Sequence, residues 1–138
     1  MFQPDVHDCI QACQNCFKAC ERCAIECLRE AGMEMTRCIE LNLVCAGVCA
    51  YTERELARKS DRAERMALIC AEICDVCFEE CNKHLPLNQC AVCAEKCAEC
   101  AERCLQMAGA MNYQPAEAAM YDPAVAKVIQ SARRHSCA

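Results

Sequence analysis

The chain has 138 residues, nineteen of them cysteine and none tryptophan, with a formal net charge of −5. This is enough for one domain with a buried core. Its interspersed charges leave no basic stripe for nucleic acid and no polybasic block for lipid. A cysteine content this high usually marks a small secreted scaffold stapled by disulfides. The opening MFQPDVHDC, however, has no basic segment followed by an apolar run, and no segment is long and apolar enough to span a bilayer. We therefore expect a cytoplasmic protein with reduced thiols. Aromatic residues are few, so small side chains and sulfur must line the interior.

The first predicted helix runs from about Asp5 to Arg29 and contains CIQACQNCFKACERCAIEC. Its Cys9, Cys13, Cys16, Cys20, Cys23 and Cys27 recur at intervals of four, three, four, three and four, the rhythm of one helix face. Gly32 suits the left-handed position after the helix. A second helix, from about Glu34 to Arg58, keeps Cys38, Cys45 and Cys49 in register, with Asn42 at the intervening seam position. SDRAE then restarts the chain: Ser60 or Asp61 can cap, and Asp61 with Glu64 has capping-box spacing. The third helix carries Cys70, Cys74, Cys77 and Cys81. HLPLNQC breaks it, because Pro86 disfavours helical geometry in Leu85 and suits the first turn of a new helix. The fourth helix carries Cys90, Cys93, Cys97, Cys100 and Cys104, and Met107 and Met111 continue its steps.

Beyond Gly109, NYQPAEAAMYDP reads as a connection, and Asp122 with Pro123 can start a short fifth helix through about Arg134. Four helices of about 22 to 26 residues, each about 35 Å long, predict an all-α, antiparallel up-down-up-down four-helix bundle with a short C-terminal helix. The expected division is a cysteine-lined bundle over residues 1–112, with the connection, helix and tail of 113–138 packed on it.

A bundle selected only for stability would fill these seams with leucine, isoleucine or valine. Disulfides fit poorly within one helix, where Cβ atoms three or four residues apart stand about 5–6 Å apart against roughly 3.5–4.5 Å in a bridge. All-thiolate sites instead select Cu(I), Zn²⁺ or iron–sulfur clusters. Charge then discriminates. A Cu(I) that replaces one thiol proton leaves a neutral unit, whereas zinc with four thiolates carries a net negative charge that is costly to bury repeatedly. No Lys or Arg sits on the seam to offset it. Iron–sulfur spacing with a cysteine before proline is absent, as are the knuckles of a zinc finger. Many Cu(I) ions, near one per thiolate, are the cargo this core tolerates best.

The repeated CxxxCxxC steps at Cys9, Cys13 and Cys16 and at Cys70, Cys74 and Cys77, with the opposite phase CxxCxxxC at Cys90, Cys93 and Cys97, give the chain its family likeness. Over roughly residues 5–111 it resembles the four-helix-bundle copper storage proteins of bacteria, and within them the cytosolic branch. The resemblance implies Cu(I) storage inside the bundle and assembly into a homotetramer. The sequence departs from it at Asn42, which interrupts the thiol wall of the second helix.

Antiparallel alternation places Cys27, Cys38, Cys81 and Cys90 at one end, with Met33, Met35 and His84 beside them. At the other end Leu56, Met66, Met107 and Met111 form an apolar plug. Copper is expected to enter at the first end. There His84 is either an early ligand or a solvated histidine at a helix C-terminus, and Met33 and Met35 are either auxiliary ligands or flexible fillers. Asn42 offers its carbonyl oxygen to a copper or hydrogen-bonds across the core. Cys137 reads as a bystander, and His7 and His135 as surface residues.

On the second helix, Leu41, Val44, Val48 and Tyr51 extend the apolar stripe while Ile39 and Leu43 lie nearer the back, so it is expected to form a subunit interface. A copper chaperone is a compatible partner; nucleic acid and membrane are not expected. The alternatives are a general thiolate sink for zinc or cadmium and a thiol redox buffer. An enzyme is not expected, since no general base, cofactor fingerprint or oriented nucleophile is evident.

Overall fold

The computed structural model describes residues 6–30 and 33–110. Within them four helices follow one another: α1 (Val6–Glu30), α2 (Thr36–Ala57), α3 (Ala63–Cys81) and α4 (Asn88–Ala110). Single 3₁₀ turns at Met33–Met35 and Asn82–His84 flank the α1–α2 and α3–α4 connections. The predicted fifth helix, the 113–138 segment, Gly32, Met111 and Cys137 lie outside the described residues, as does the side chain of Met33.

Each helix packs on the two that flank it, with α4 closing back on α1. Sulfur contacts fix the directions. Cys9 meets Cys104 and Cys23 meets Cys90, and Cys38 meets Cys81 while Cys49 meets Cys70, so α1 runs antiparallel to α4 and α2 to α3. Gln14 Nε2 donates to Glu53 Oε1 across α1 and α2 at 2.7 Å. The expected up-down-up-down bundle forms.

The three-four cysteine spacing puts one seam of every helix on the common axis, and alanines such as Ala12, Ala46, Ala67 and Ala94 fill the flanks. Because Ala and Cys are small, the axis is lined by sulfur. Larger apolar groups (Ile10, Phe17, Leu41, Leu68, Phe78) pack against this core from partly buried positions between helices. Leu56 and Met107 are buried beyond the last cysteines and form the expected plug, with Met66 half-buried.

The chain reversals differ in detail from the expectations. Helix α2 ends in a Schellman motif: Ser60 N–H donates to Glu55 O at 3.1 Å and Lys59 N–H to Leu56 O at 3.2 Å. Lys59 takes the left-handed position at φ 54° that glycine usually occupies. The capping box of Asp61 and Glu64 does not form. Arg62 is the N-cap without a side-chain bond, and Ser60 Oγ accepts from Arg62 N–H at 2.9 Å. The Schellman turn has already placed Ser60 where its hydroxyl satisfies that amide. Likewise Pro86 lies in the turn before α4 rather than in its first helical turn. Leu87 carbonyl accepts from the amides of Cys90 and Ala91, so the helix begins just after it.

Among the described residues two carboxylates are buried, one towards each end. Glu55 is held by Arg58 at 3.0 Å and Arg62 at 3.8 Å; Glu80 is held by His84, Lys83 and Arg37 at 3.1, 3.3 and 3.5 Å. Such partners are what a buried charge requires.

Candidate metal centre

All eighteen helical cysteines are buried and none is disulfide-bonded. Their sulfurs form a continuous column. At one end, the mouth, Cys23, Cys27 and Cys90 stand 3.7–3.9 Å apart, and Cys38 lies 4.0 Å from Cys81. Further in, Cys20 meets Cys93 at 3.6 Å, and Cys16 contacts Cys20, Cys45, Cys74 and Cys97 at 3.8–4.0 Å. Towards the plug, Cys70 meets Cys100 at 3.9 Å, and Cys104 meets both Cys9 and Cys13 at that distance.

These separations exceed a disulfide bond by nearly a factor of two. They match sulfurs sharing a metal: two metal–sulfur bonds of about 2.3 Å meeting at 120° place their sulfurs about 4.0 Å apart. Quartets such as Cys13, Cys70, Cys100 and Cys104, or Cys16, Cys49, Cys74 and Cys100, have all their sulfurs within 4.8 Å of one another. The column thus offers overlapping sites in which each sulfur can bridge neighbours.

Mutual hydrogen bonding shifts neighbouring thiols in opposite directions. Cys100 is the main group holding Cys16 and Cys70 down, and Cys20 holds Cys93 down. Cys20 and Cys104 are pushed up, Cys20 chiefly by Cys16 and Cys104 chiefly by Cys100. A thiolate surrounded by S–H donors is stabilised, and a second proton beside it is harder to remove.

Asn42 crosses the column, fully buried. Its Nδ2 donates to Cys38 O at 2.8 Å and faces the sulfurs of Cys23 and Cys38 at 3.3 Å. Its Oδ1 accepts from Cys93 at 2.9 Å and Cys77 at 3.3 Å. The amide hydrogen-bonds across the core, as one of the two sequence readings expects. Met35 is buried in the core cluster. His84 is paired with Glu80 rather than with a thiol.

Sequence reasoning missed Glu80 and Gln89. Glu80 precedes His84 by four residues, the spacing of helical neighbours, and this was the available signal. Gln89 donates to Cys27 Sγ at 3.6 Å and to Glu30 at 3.2 Å; nothing in its local sequence distinguishes it from a surface glutamine.

A four-helix bundle with a buried column of unbridged thiols defines a class of proteins built to hold soft metal ions in bulk. The family model for copper storage proteins matches residues 2–109, and the chain belongs to that family. Among relatives, an uncharacterised cysteine-rich protein of Bacillus subtilis, YhjQ, is 39% identical over 88 residues, 63% of this chain and 81% of its own. The solved structure of Cu(I)-bound copper storage protein BsCsp3 superposes with a TM-score of 0.69 at 39% identity, covering 72% of this chain and 94% of that one. A cytosolic copper storage protein from Streptomyces lividans, solved with five coppers, gives 0.70 at 31% identity, covering 75% and 92%.

Proposed function

We propose that this protein stores many Cu(I) ions as thiolate complexes along its axis, with all eighteen helical cysteines as ligands. The observation that carries this reading is the column itself: buried, unbridged sulfurs 3.6–4.0 Å apart over its length. Each copper that displaces a thiol proton adds no net charge, so the low-dielectric interior can fill without accumulating repulsion. A zinc sink would accumulate negative charge among thiols that, in the quartets nearer the plug, meet only other thiols.

Copper enters at the mouth in this account, since Leu56 and Met107 block the opposite end. His84, fixed by Glu80, is the first ligand offered, and Met35 borders the same opening. Low-molecular-mass thiolate complexes or a copper chaperone supply the ion. The working compartment is the cytoplasm, where thiols stay reduced. No described helix is long and apolar enough to cross a membrane. The protein acts as a store and not as an enzyme.

Assembly uses the outer face of α2, where Leu43, Val44 and Tyr51 are 43–52% exposed. A homotetramer burying these faces accounts for an apolar stripe that the bundle itself leaves open.

Anaerobic titration of the reduced protein with Cu(I) against a competing chelator tests this function. Saturation near the count of column thiols is expected, together with a large rise in unfolding temperature, since metal bound only by the folded state adds its binding energy to stability. Saturation at four or five divalent ions, with weak Cu(I) uptake, would reject it.

A further inference from the structure

The amide of Asn42 is not placed symmetrically in the column. Cys38 O can only accept, so the bond from Nδ2 at 2.8 Å fixes which end of the amide is N–H. The N–H end therefore faces Cys23 and Cys38 of the mouth, and the carbonyl end faces Cys93 and Cys77 at 2.9 and 3.3 Å and, more distantly at 3.9 Å, Cys81. Gln89 adds a second amide N–H from the rim, onto Cys27. Copper(I) filling one ion per thiol gives neutral units and has no need of such donors.

The mouth quartet of Cys23, Cys27, Cys38 and Cys90 has all four sulfurs within 4.8 Å of one another, and three of its edges are 3.7–3.9 Å. A tetrahedron with metal–sulfur bonds of about 2.3 Å has edges of about 3.8 Å. Gln89 N–H serves Cys27, and the one Asn42 N–H not given to Cys38 O is shared between Cys23 and Cys38, which offsets negative charge at the ligands. The quartets nearer the plug meet only other thiols, and the one formed by Cys20, Cys77, Cys93 and Cys97 faces the carbonyl oxygen of Asn42.

We infer that, in the copper-poor protein, the mouth quartet binds a single divalent ion of the Zn²⁺ type as a tetrahedral tetrathiolate, solvated by the amides of Asn42 and Gln89. Four thiols give up four protons and the ion enters with two positive charges, so the complex carries a net charge of minus two. That charge is tolerated at the amide-lined mouth and at no quartet nearer the plug. The site shares its four cysteines with the Cu(I) store and is filled only before copper loads; its test uses no copper, so either claim can fail alone.

The test is anaerobic titration of the reduced full-length protein with Co²⁺, followed by displacement with Zn²⁺. Tetrahedral tetrathiolate ligand-field bands should grow to a break at one equivalent per chain and vanish on addition of one Zn²⁺. Cys27→Ser should remove the bands, and Cys49→Ser, deep in the column, should leave them intact. Gln89→Leu, at the rim, should weaken Co²⁺ binding by about tenfold, as expected for a lost partner of a metal ligand. Asn42→Leu should do the same or more. No break at one equivalent, several equivalents bound alike, or equal losses in Cys27→Ser and Cys49→Ser would overturn the inference.

Discussion

Glu80 Oε2 lies 3.1 Å from His84 Nε2, one helical turn along the chain at the mouth of the thiol column. An imidazole that gives its Nε2 proton to a carboxylate keeps the lone pair on Nδ1, the tautomer suited to a metal. His84→Ala is therefore expected to slow Cu(I) uptake several-fold in stopped-flow mixing while leaving final capacity unchanged. Glu80→Ala should slow it less, because the ring remains but is no longer oriented. Unaltered uptake by His84→Ala removes histidine from the route.

Acid should unfold the copper-free protein in part through Glu55. Hydrogen bonds from Ser60 and Tyr51, and then Arg58, hold its carboxyl at about 2, against 4.5 unperturbed. The folded form thus binds the proton less readily than the unfolded chain. The stabilisation is complete above about pH 4.5 and is lost as pH falls towards 2. Thermal unfolding across that window should drop less steeply for Glu55→Gln than for the parent, although the variant is less stable at neutral pH.

At the end of α2, Lys59 holds the left-handed turn with a side chain that opposes it. Lys59→Gly should stabilise the copper-free protein by about 1 kcal/mol, the usual cost of this conformation for an L-residue. Lys59→Ala should give no comparable gain. Chemical denaturation of both variants checks this, with equal midpoints as the contrary result.

Among the described residues, the four helices, their order and the identity of the column cysteines were legible in the sequence because one periodicity governs them. Cysteines spaced three and four apart face a common axis, and Pro86 punctuates the runs between α3 and α4. Reversal chemistry was less legible. Ser60 and Asp61 both read as caps, and only the backbone bonds of Ser60 and Lys59 show that the turn belongs to the end of α2. The second role of Asn42 was hidden because amide orientation depends on Cys38 O, a backbone group whose position no spacing rule specifies. Glu55 and Glu80 carry no sequence signal of burial beyond the cationic neighbours three and four residues away, and their pairing shows only in the fold.

Assembly through α2 is testable without metal. Replacing Leu43 and Val44 with glutamate puts charge on the stripe that the proposed homotetramer covers, and sedimentation analysis should then report a monomer. Helical content should persist, because both side chains point away from the column, at 52% and 45% exposure. An unchanged assembly in the double variant would place the interface elsewhere.

The central claim, that copper resides among inward-facing sulfurs, is tested most directly by X-ray absorption at the copper edge of the fully loaded protein. The account predicts a Cu(I) edge, a first shell of two or three sulfurs per copper, and copper–copper scattering from neighbouring ions. A first shell dominated by nitrogen or oxygen, as surface imidazoles and carboxylates would supply, would contradict it.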